Sequence, residues 1–126
     1  MSDHGTFVWN ELATSDVEGA KAFYTDVVGW TVEAVDMGES GMYHLLKDGD
    51  KMRGGLMSTA NMPGDPPPPH WMSYIGVDDV DGACEKAKAA GGQVLSGPFD
   101  IPNVGRMAVL MDPQGAVVSI MKGADE

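Results

Sequence analysis

The sequence is poor in cysteine, in basic residues and in long apolar runs, and each shortage excludes a class of protein. Cys84 is the single cysteine, so no disulfide forms within the chain and a reducing compartment is indicated. Eight Lys and Arg stand against 19 Asp and Glu, a formal charge of −11, which argues against nucleic-acid and anionic-membrane partners. No apolar run approaches the ~18 residues of a membrane span, and the first residues do not resemble a signal peptide. The expected location is therefore the cytoplasm.

An internal repeat organises what the chain does contain. Asp-Val-Glu-Gly-Ala-Lys at 16–21 returns as Asp-Val-Asp-Gly-Ala-Cys at 79–84, an offset of 63 residues (79 − 16). Each copy predicts a helix start, because Ser15 and Asp78 are candidate N-caps with an acidic residue three positions later. Gly29 and Gly92 are the candidate helix ends, since glycine tolerates the left-handed conformation found there. On the second helix Cys84 is expected to be a small buried residue rather than a reactive thiol.

Short strand-like segments surround each predicted helix. In the first copy they cover 6–13, 31–36, 42–47 and 52–58, and in the second they cover 71–77, 93–99, 104–111 and 116–122. Asp48-Gly49 and Asp112-Pro113-Gln114-Gly115 are turn sequences of the kind that joins successive strands. Each copy therefore predicts the order βαβββ.

These elements predict one domain over residues 1–126. Its two modules cover about 5–58 and 70–122, and the linker between them covers 59–69. The linker contains four consecutive prolines, which fix the backbone and predict an extended, semi-rigid spacer. A proline-rich ligand for an SH3-like partner is the alternative.

Two groups of short motifs accompany the repeat. The first is Glu11-Leu12-Ala13-Thr14-Ser15-Asp16, Ala22-Phe23-Tyr24 and Val28-Gly29-Trp30, and the second is Gly105-Arg106-Met107-Ala108 and Asp112-Pro113-Gln114-Gly115-Ala116. The first group resembles the opening strand and helix, and the second the closing hairpin, of the vicinal-oxygen-chelate superfamily of glyoxalases, bleomycin resistance proteins and extradiol dioxygenases. The resemblance implies an α+β fold in which two βαβββ modules form paired, strongly curved mixed sheets around a concave cavity.

In that family His and Glu side chains from the first and last strands of the modules hold a divalent metal, which polarises a substrate oxygen. The matching positions in this chain are Trp9, Met72, Ser119 and, across one gap, Gly55. None of the four is His, Asp or Glu. The resemblance therefore implies a member of the family with no metal site and no cofactor.

Strand alternation and the resemblance together predict the lining of the cavity. Trp9 and Glu11 share one face of the first strand, and the repeat carries that face to Met72 and Tyr74, while Ser119 comes from the last strand. This surface is aromatic and thioether-rich, which suits a small, mostly apolar organic ligand.

Glu11 is the charged residue of this predicted lining. A carboxylate on an apolar face is costly unless it is paired or exposed. It therefore has three interpretations: an anchor for a cationic ligand, a general acid or base, or a structural partner of Arg106, Arg53 or backbone donors. Arg106 could bind an anion, but a salt bridge at the strand end is the commoner role.

Three classes of function follow. The first is metal-free binding or sequestering of a small organic molecule, as in bleomycin resistance proteins. The alternative is a lyase, isomerase or dioxygenase that uses a metal or an acid/base such as Glu11, and the third is a structural or regulatory subunit. The sequence does not decide whether the chain is an enzyme. We also expect a homodimer, because an open apolar sheet favours further burial.

Overall fold

The elements of the chain repeat the order βαβββ twice. A computed structural model describes residues 4–36, 38, 41–61, 67–101 and 104–123, and these form an α+β fold. The first set is β1 (Phe7–Thr14), α1 (Val17–Val27), β2 (Thr31–Asp36), β3 (Met42–Asp48) and β4 (Lys51–Ser58). The second set is β5 (His70–Gly76), α2 (Val80–Ala89), β6 (Gln93–Ile101), β7 (Gly105–Met111) and β8 (Val117–Gly123). The helices begin 63 residues apart (80 − 17), so the repeat predicted from the sequence is confirmed.

The chain divides into two compact units. The first unit is Trp9–Trp71, and the second is Met72–Glu126 with Met1–Val8. Inside the second unit the early residues are held by backbone hydrogen bonds: the N–H of Gly5 donates to the carbonyl of Gly76, and the N–H of Gly76 donates to that of Thr6, both at 2.8 Å.

The first unit orders its strands β2-β3-β4-β1, with β1 parallel to β4 and the other pairs antiparallel. Leu12, Leu46 and Leu56 form its buried core, one from each of β1, β3 and β4. Residues of α1 and β2 cover this core: Val17, Ala20, Tyr24, Trp30 and Val32. Helix α1 therefore lies against the face of the sheet to which Leu12 points.

The second unit repeats this arrangement with the order β5-β8-β7-β6 and a parallel β5–β8 pair. Ala108 and Ile120 pack with Val80 and Cys84 of α2. Cys84 is buried and free, as predicted, and burial raises the pKa of its thiol, which disfavours the reactive thiolate.

Both helix starts lie one residue later than predicted. The caps are Asp16 and Asp79 rather than Ser15 and Asp78: each carboxylate accepts a hydrogen bond from the glycine N–H three residues on, at 2.9 and 3.0 Å. The prediction was wrong because Ser and Asp are both good N-caps, and the spacing to the next acidic residue does not choose between them.

The helix ends agree with the prediction in one copy only. Gly29 follows α1 with a φ of 86°, but after α2 it is Gly91, with a φ of 93°, that takes the left-handed conformation. Helix α2 is one residue shorter than α1, so Gly92 falls beyond the turn.

The predicted spacer is only partly visible. Thr59–Asn61 forms a short 3-10 turn, which contradicts a fully extended segment. Residues 62–66 lie outside the described part of the chain, and 67–69 form no helix or strand. No helix in the described ranges is both long and apolar enough to cross a membrane.

Candidate functional site

Trp9 and Glu11 lie on the face of β1 that points away from α1. Their neighbour Leu12 is buried against α1, and successive residues of a strand point to opposite faces. Both side chains are partly buried. The alternation predicted for this strand therefore places them together on the side of the first unit's sheet that is opposite α1.

A third residue, Tyr43 of β3, joins these two side chains. The indole Nε1–H of Trp9 donates to the Tyr43 hydroxyl at 2.9 Å, and that hydroxyl donates to Oε2 of Glu11 at 2.7 Å. We call this chain of bonds the Trp9–Tyr43–Glu11 network. Its short final bond is a hydrogen bond to a carboxylate, and such bonds are stronger than those between neutral groups. The carboxylate is therefore held in one orientation next to an indole ring.

Gly55 makes room for this network. It pairs with Glu11 on one side and with Leu45 on the other, and a Cβ atom added to it would overlap the hydroxyl of Tyr43. Gly55 matches a metal-ligand position of the superfamily but has no side chain, and the phenol of Tyr43 occupies the space that a side chain would take.

Sequence reasoning did not identify Tyr43, and a β-bulge is the reason. A regular hairpin that pairs Lys47 with Met52 would pair His44 with Gly55. The register shifts by one residue between Lys47, which pairs with Met52, and Leu46, which pairs with Gly54, so Gly55 instead pairs with Leu45. A slip of one residue moves every later side chain to the other face of the sheet. The turn Asp48-Gly49 indicates the hairpin, but nothing in its sequence specifies the bulge.

The second unit presents a different set of groups at the equivalent positions. Tyr74 pairs with Ser119 in the parallel β5–β8 ladder, as Glu11 pairs with Gly55. Ser119 is 1% exposed and Tyr74 is 8% exposed. The Ser119 hydroxyl has no hydrogen-bond partner among the described residues. Met72, two residues before Tyr74 on the same strand, is partly buried.

The residues present do not fit a divalent metal. Indole N–H is a donor, glycine has no side chain, thioether sulfur is a soft ligand and the serine hydroxyl is neutral. These are the groups of Trp9, Gly55, Met72 and Ser119. Within the ranges that the structure describes, no three His, Cys, Asp or Glu side chains are grouped so that they could hold a metal. A metal-dependent step cannot be derived from this donor set.

The arginines considered as partners for Glu11 are engaged elsewhere. Arg106 bonds Asp81 through two nitrogens at 2.8 and 2.9 Å, and Asp100 at 3.0 Å. This ion pair raises the pKa of Arg106 and lowers the pKa of Asp81. Nη2 of Arg53 lies 3.5 Å from Oδ2 of Asp48. Arg106 therefore has the structural role that the sequence favoured, and it joins the first turn of α2 to the β6–β7 hairpin.

Comparison with known families agrees with the repeat and the fold. A sequence profile described as the Glyoxalase/Bleomycin resistance protein/Dioxygenase superfamily matches residues 6–120. The chain belongs to this superfamily. The resemblance of the short motifs is thereby confirmed over nearly the whole length.

Among superfamily members, two curated relatives bear on function. The protein named "Putative glyoxylase CFP32" from Mycobacterium tuberculosis is 48% identical over 126 residues, which is 100% of this chain and 47% of that protein. The anthracycline biosynthesis protein DnrV from Streptomyces peucetius is 31% identical over 137 residues, covering 96% of this chain and 50% of that protein. The chain thus spans about half the length of the curated relatives it matches.

Solved structures of low sequence identity share the fold. Methylmalonyl-CoA epimerase from Mycobacterium tuberculosis has a TM-score of 0.64 at 15% identity, covering 98% of this chain and 91% of the epimerase. The Streptomyces coelicolor epimerase in complex with 2-nitronate-propionyl-CoA has a TM-score of 0.63 at 18% identity, covering 96% of each chain. A hypothetical protein from Bacillus halodurans has a TM-score of 0.68 at 14% identity, again covering 96% of each chain.

Proposed function

We propose that the chain is a metal-free small-molecule-binding member of the superfamily, and that the Trp9–Tyr43–Glu11 network contacts a flat organic cation. The observation that supports this most is the short bond from the Tyr43 hydroxyl to Glu11, at 2.7 Å. It fixes a partly buried carboxylate beside an indole ring, where a metal-dependent relative would need ligands.

The chemistry of these groups favours a cation over an anion. The face of an indole attracts a positive charge by about 0.5–2 kcal/mol, and a carboxylate adds direct attraction. A carboxylate has about four lone-pair sites, so it can accept hydrogen bonds from protein and ligand donors together. The formal charge of −11 also raises the local concentration of small cations.

The relative named for anthracycline biosynthesis suggests a test molecule. An anthracycline glycoside with a free amino sugar combines a flat ring system with a protonated amine, and its aglycone is a neutral molecule with the same ring system. Isothermal titration of both against the native chain measures the preference for positive charge. We expect the amine to bind more tightly than the aglycone.

Glu11→Gln then isolates the contribution of the carboxylate. The amide oxygen can still accept the Tyr43 hydrogen bond, so the network keeps its shape while the charge is lost. We expect the amine to lose roughly 5- to 10-fold in affinity, as for a partly exposed charge pair worth about 1–1.4 kcal/mol, and the aglycone to change little. Raised salt should reduce the difference.

The matched control is Glu33→Gln, which removes the same formal charge from an exposed carboxylate paired with Lys47. Equal losses in the two variants would mean that only the overall charge matters. Failure of both ligands to bind the native chain would remove this ligand class from the proposal.

A second candidate function is metal-independent proton transfer. The Tyr43–Glu11 bond favours it, because a phenol and a carboxylate in contact can hold and move a proton. The relative CFP32 carries the name "Putative glyoxylase". Incorporation of solvent deuterium next to the carbonyl of a 2-oxoaldehyde–thiol adduct, followed by NMR, tests this activity. Turnover that disappears in Glu11→Gln, with metal chelated throughout, would support the enzyme.

The remaining features of the proposal concern assembly and the second unit. We propose that Met72, Tyr74 and Ser119 also contact ligand, that the chain acts in the cytoplasm, and that it forms a homodimer. The free, buried Cys84 is compatible with a reducing compartment. Light scattering tests the dimer, since the monomer mass is 13.3 kDa, and a clean monomer at micromolar concentration would contradict it.

A further inference from the structure

The hydroxyl of Ser119 is buried without a hydrogen bond, which is uncommon in a folded protein. Its side chain is 1% exposed and its Oγ has no partner among the described residues. An unsatisfied buried hydroxyl costs about 1–3 kcal/mol. A hydroxyl that is left unsatisfied at such a cost is a candidate for bonding to something that binds there.

Comparison of the two units shows why this hydroxyl lacks a partner. Val109 pairs with Ser119 as Leu45 pairs with Gly55, so Met107 in β7 takes the place that Tyr43 has in β3. In the first unit the phenol completes a network. In the second unit Met107 is a thioether, which has no proton to donate and accepts hydrogen bonds only weakly.

The side chains on this face of the second unit are mostly apolar. Ile120 points into the core beneath α2, so Ser119 and the residues two positions away, Val117 and Met121, point to the other face. Met107 and Val109 lie on that face as the pairing partners of Met121 and Ser119. Tyr74, the pairing partner of Ser119 in β5, lies on the same face. A charged ligand group would be disfavoured among side chains that are mostly apolar, whereas a neutral oxygen would suit the Ser119 hydroxyl.

We propose that Ser119 is a hydrogen-bonding position for a neutral carbonyl or hydroxyl oxygen on an aromatic molecule. This inference rests on the proposed small-molecule-binding function and adds a second kind of contact to it. Because Ser119 is 1% exposed, a ligand reaches it only if neighbouring side chains move. Met107 and Met121 form the next cross-strand pair in the β7–β8 ladder. Both have flexible unbranched side chains that adapt to different neighbours.

The first test compares stability with binding in Ser119→Ala. Removing an unsatisfied buried hydroxyl relieves its desolvation cost, so the melting temperature of the ligand-free variant should stay equal or rise. A purely structural serine, or one that bonds a buried water, would give a lower melting temperature. That result would overturn the proposal.

The second test uses two small probes of similar shape that differ in one oxygen. Acetophenone carries a carbonyl and ethylbenzene does not, and both are titrated into ¹⁵N-labelled native chain while amide signals are followed. We expect acetophenone to shift the signals of Tyr74, Val109 and Ser119 and to bind roughly 3- to 10-fold more tightly than ethylbenzene, as one neutral hydrogen bond allows. The preference should vanish in Ser119→Ala and persist in the control Ser96→Ala, which alters an exposed serine of β6.

The outcomes separate this proposal from the proposed function. Equal affinity of the two probes, shifts confined to other residues, or no shifts at all would overturn the role of Ser119, whatever the cationic ligand does in the first unit. If the native chain binds the anthracycline amine no more tightly than the aglycone but still prefers acetophenone to ethylbenzene, the proposed cation contact at Glu11 is overturned and the role of Ser119 is supported.

Discussion

Replacing Tyr43 with Phe removes one oxygen from the centre of the Trp9–Tyr43–Glu11 network and leaves the ring in place. The hydrogen bonds lost include one from an indole N–H at 2.9 Å and one to a carboxylate at 2.7 Å. A neutral hydrogen bond contributes about 0.5–1.5 kcal/mol and one to a charged group about 1.5–3 kcal/mol. Because all three side chains are partly exposed, hydrogen bonds to water replace part of the lost stabilisation. We therefore expect the free energy of unfolding to fall by about 2 kcal/mol.

The loss can be measured by urea denaturation followed by circular dichroism at neutral pH. A decrease of about 2 kcal/mol corresponds to a fall of about 6–12 °C in melting temperature for a chain of this size. The matched control is Tyr24→Phe, since the Tyr24 hydroxyl also accepts an indole N–H, from Trp71, but at 3.3 Å and in an exposed position. That variant should lose less than about 0.5 kcal/mol. Equal effects of the two substitutions would refute the importance assigned to the network.

Three further perturbations test other parts of the account. Gly55→Ala places a methyl group where the Tyr43 hydroxyl and the adjoining ring carbons lie; it should lower the urea midpoint in the native chain but much less when Tyr43 is already Ala, and equal losses in both backgrounds would contradict the overlap. Burial lowers the pKa of His44, with Lys21 adding to the effect. The unfolded chain therefore takes up a proton first as pH falls below about 6.5, so stability should fall there, and His44→Gln should flatten that part of the curve; an unchanged slope would disprove this. Asp16→Ala should cost about 1 kcal/mol as the loss of an N-cap and Ser15→Ala much less, and the reverse order in thermal melts would restore the cap predicted from the sequence.

Much of the fold was predictable because the sequence contains two similar copies of one module. The offset of 63 residues located both helices, and the turn sequences located the strand ends to within about two residues. Single-residue choices were less predictable. Asp16 caps α1 although Ser15 is chemically suitable, and Gly91 ends α2 because that helix is one residue shorter than its counterpart.

The candidate site was only partly predictable, for a reason of geometry. Alternation along β1 is local, so the shared face of Trp9 and Glu11 follows from two neighbouring positions. The third member, Tyr43, depends on the pairing of β3 with β4, and a bulge sets that register. The identity of residues that meet across a sheet depends on such shifts, which the local sequence does not specify.

The claim that ligand binding needs no metal can be tested in one titration series. The anthracycline amine is titrated into chain that has been treated with chelator, and again into chain incubated with Zn²⁺, Ni²⁺, Mn²⁺ or Fe²⁺ and dialysed, with elemental analysis of each sample. We predict the same dissociation constant in every sample and metal far below one equivalent. Binding that occurs only in a sample holding near-equimolar metal would contradict the account, because Trp9, Gly55, Met72 and Ser119 offer a divalent ion no suitable set of ligands.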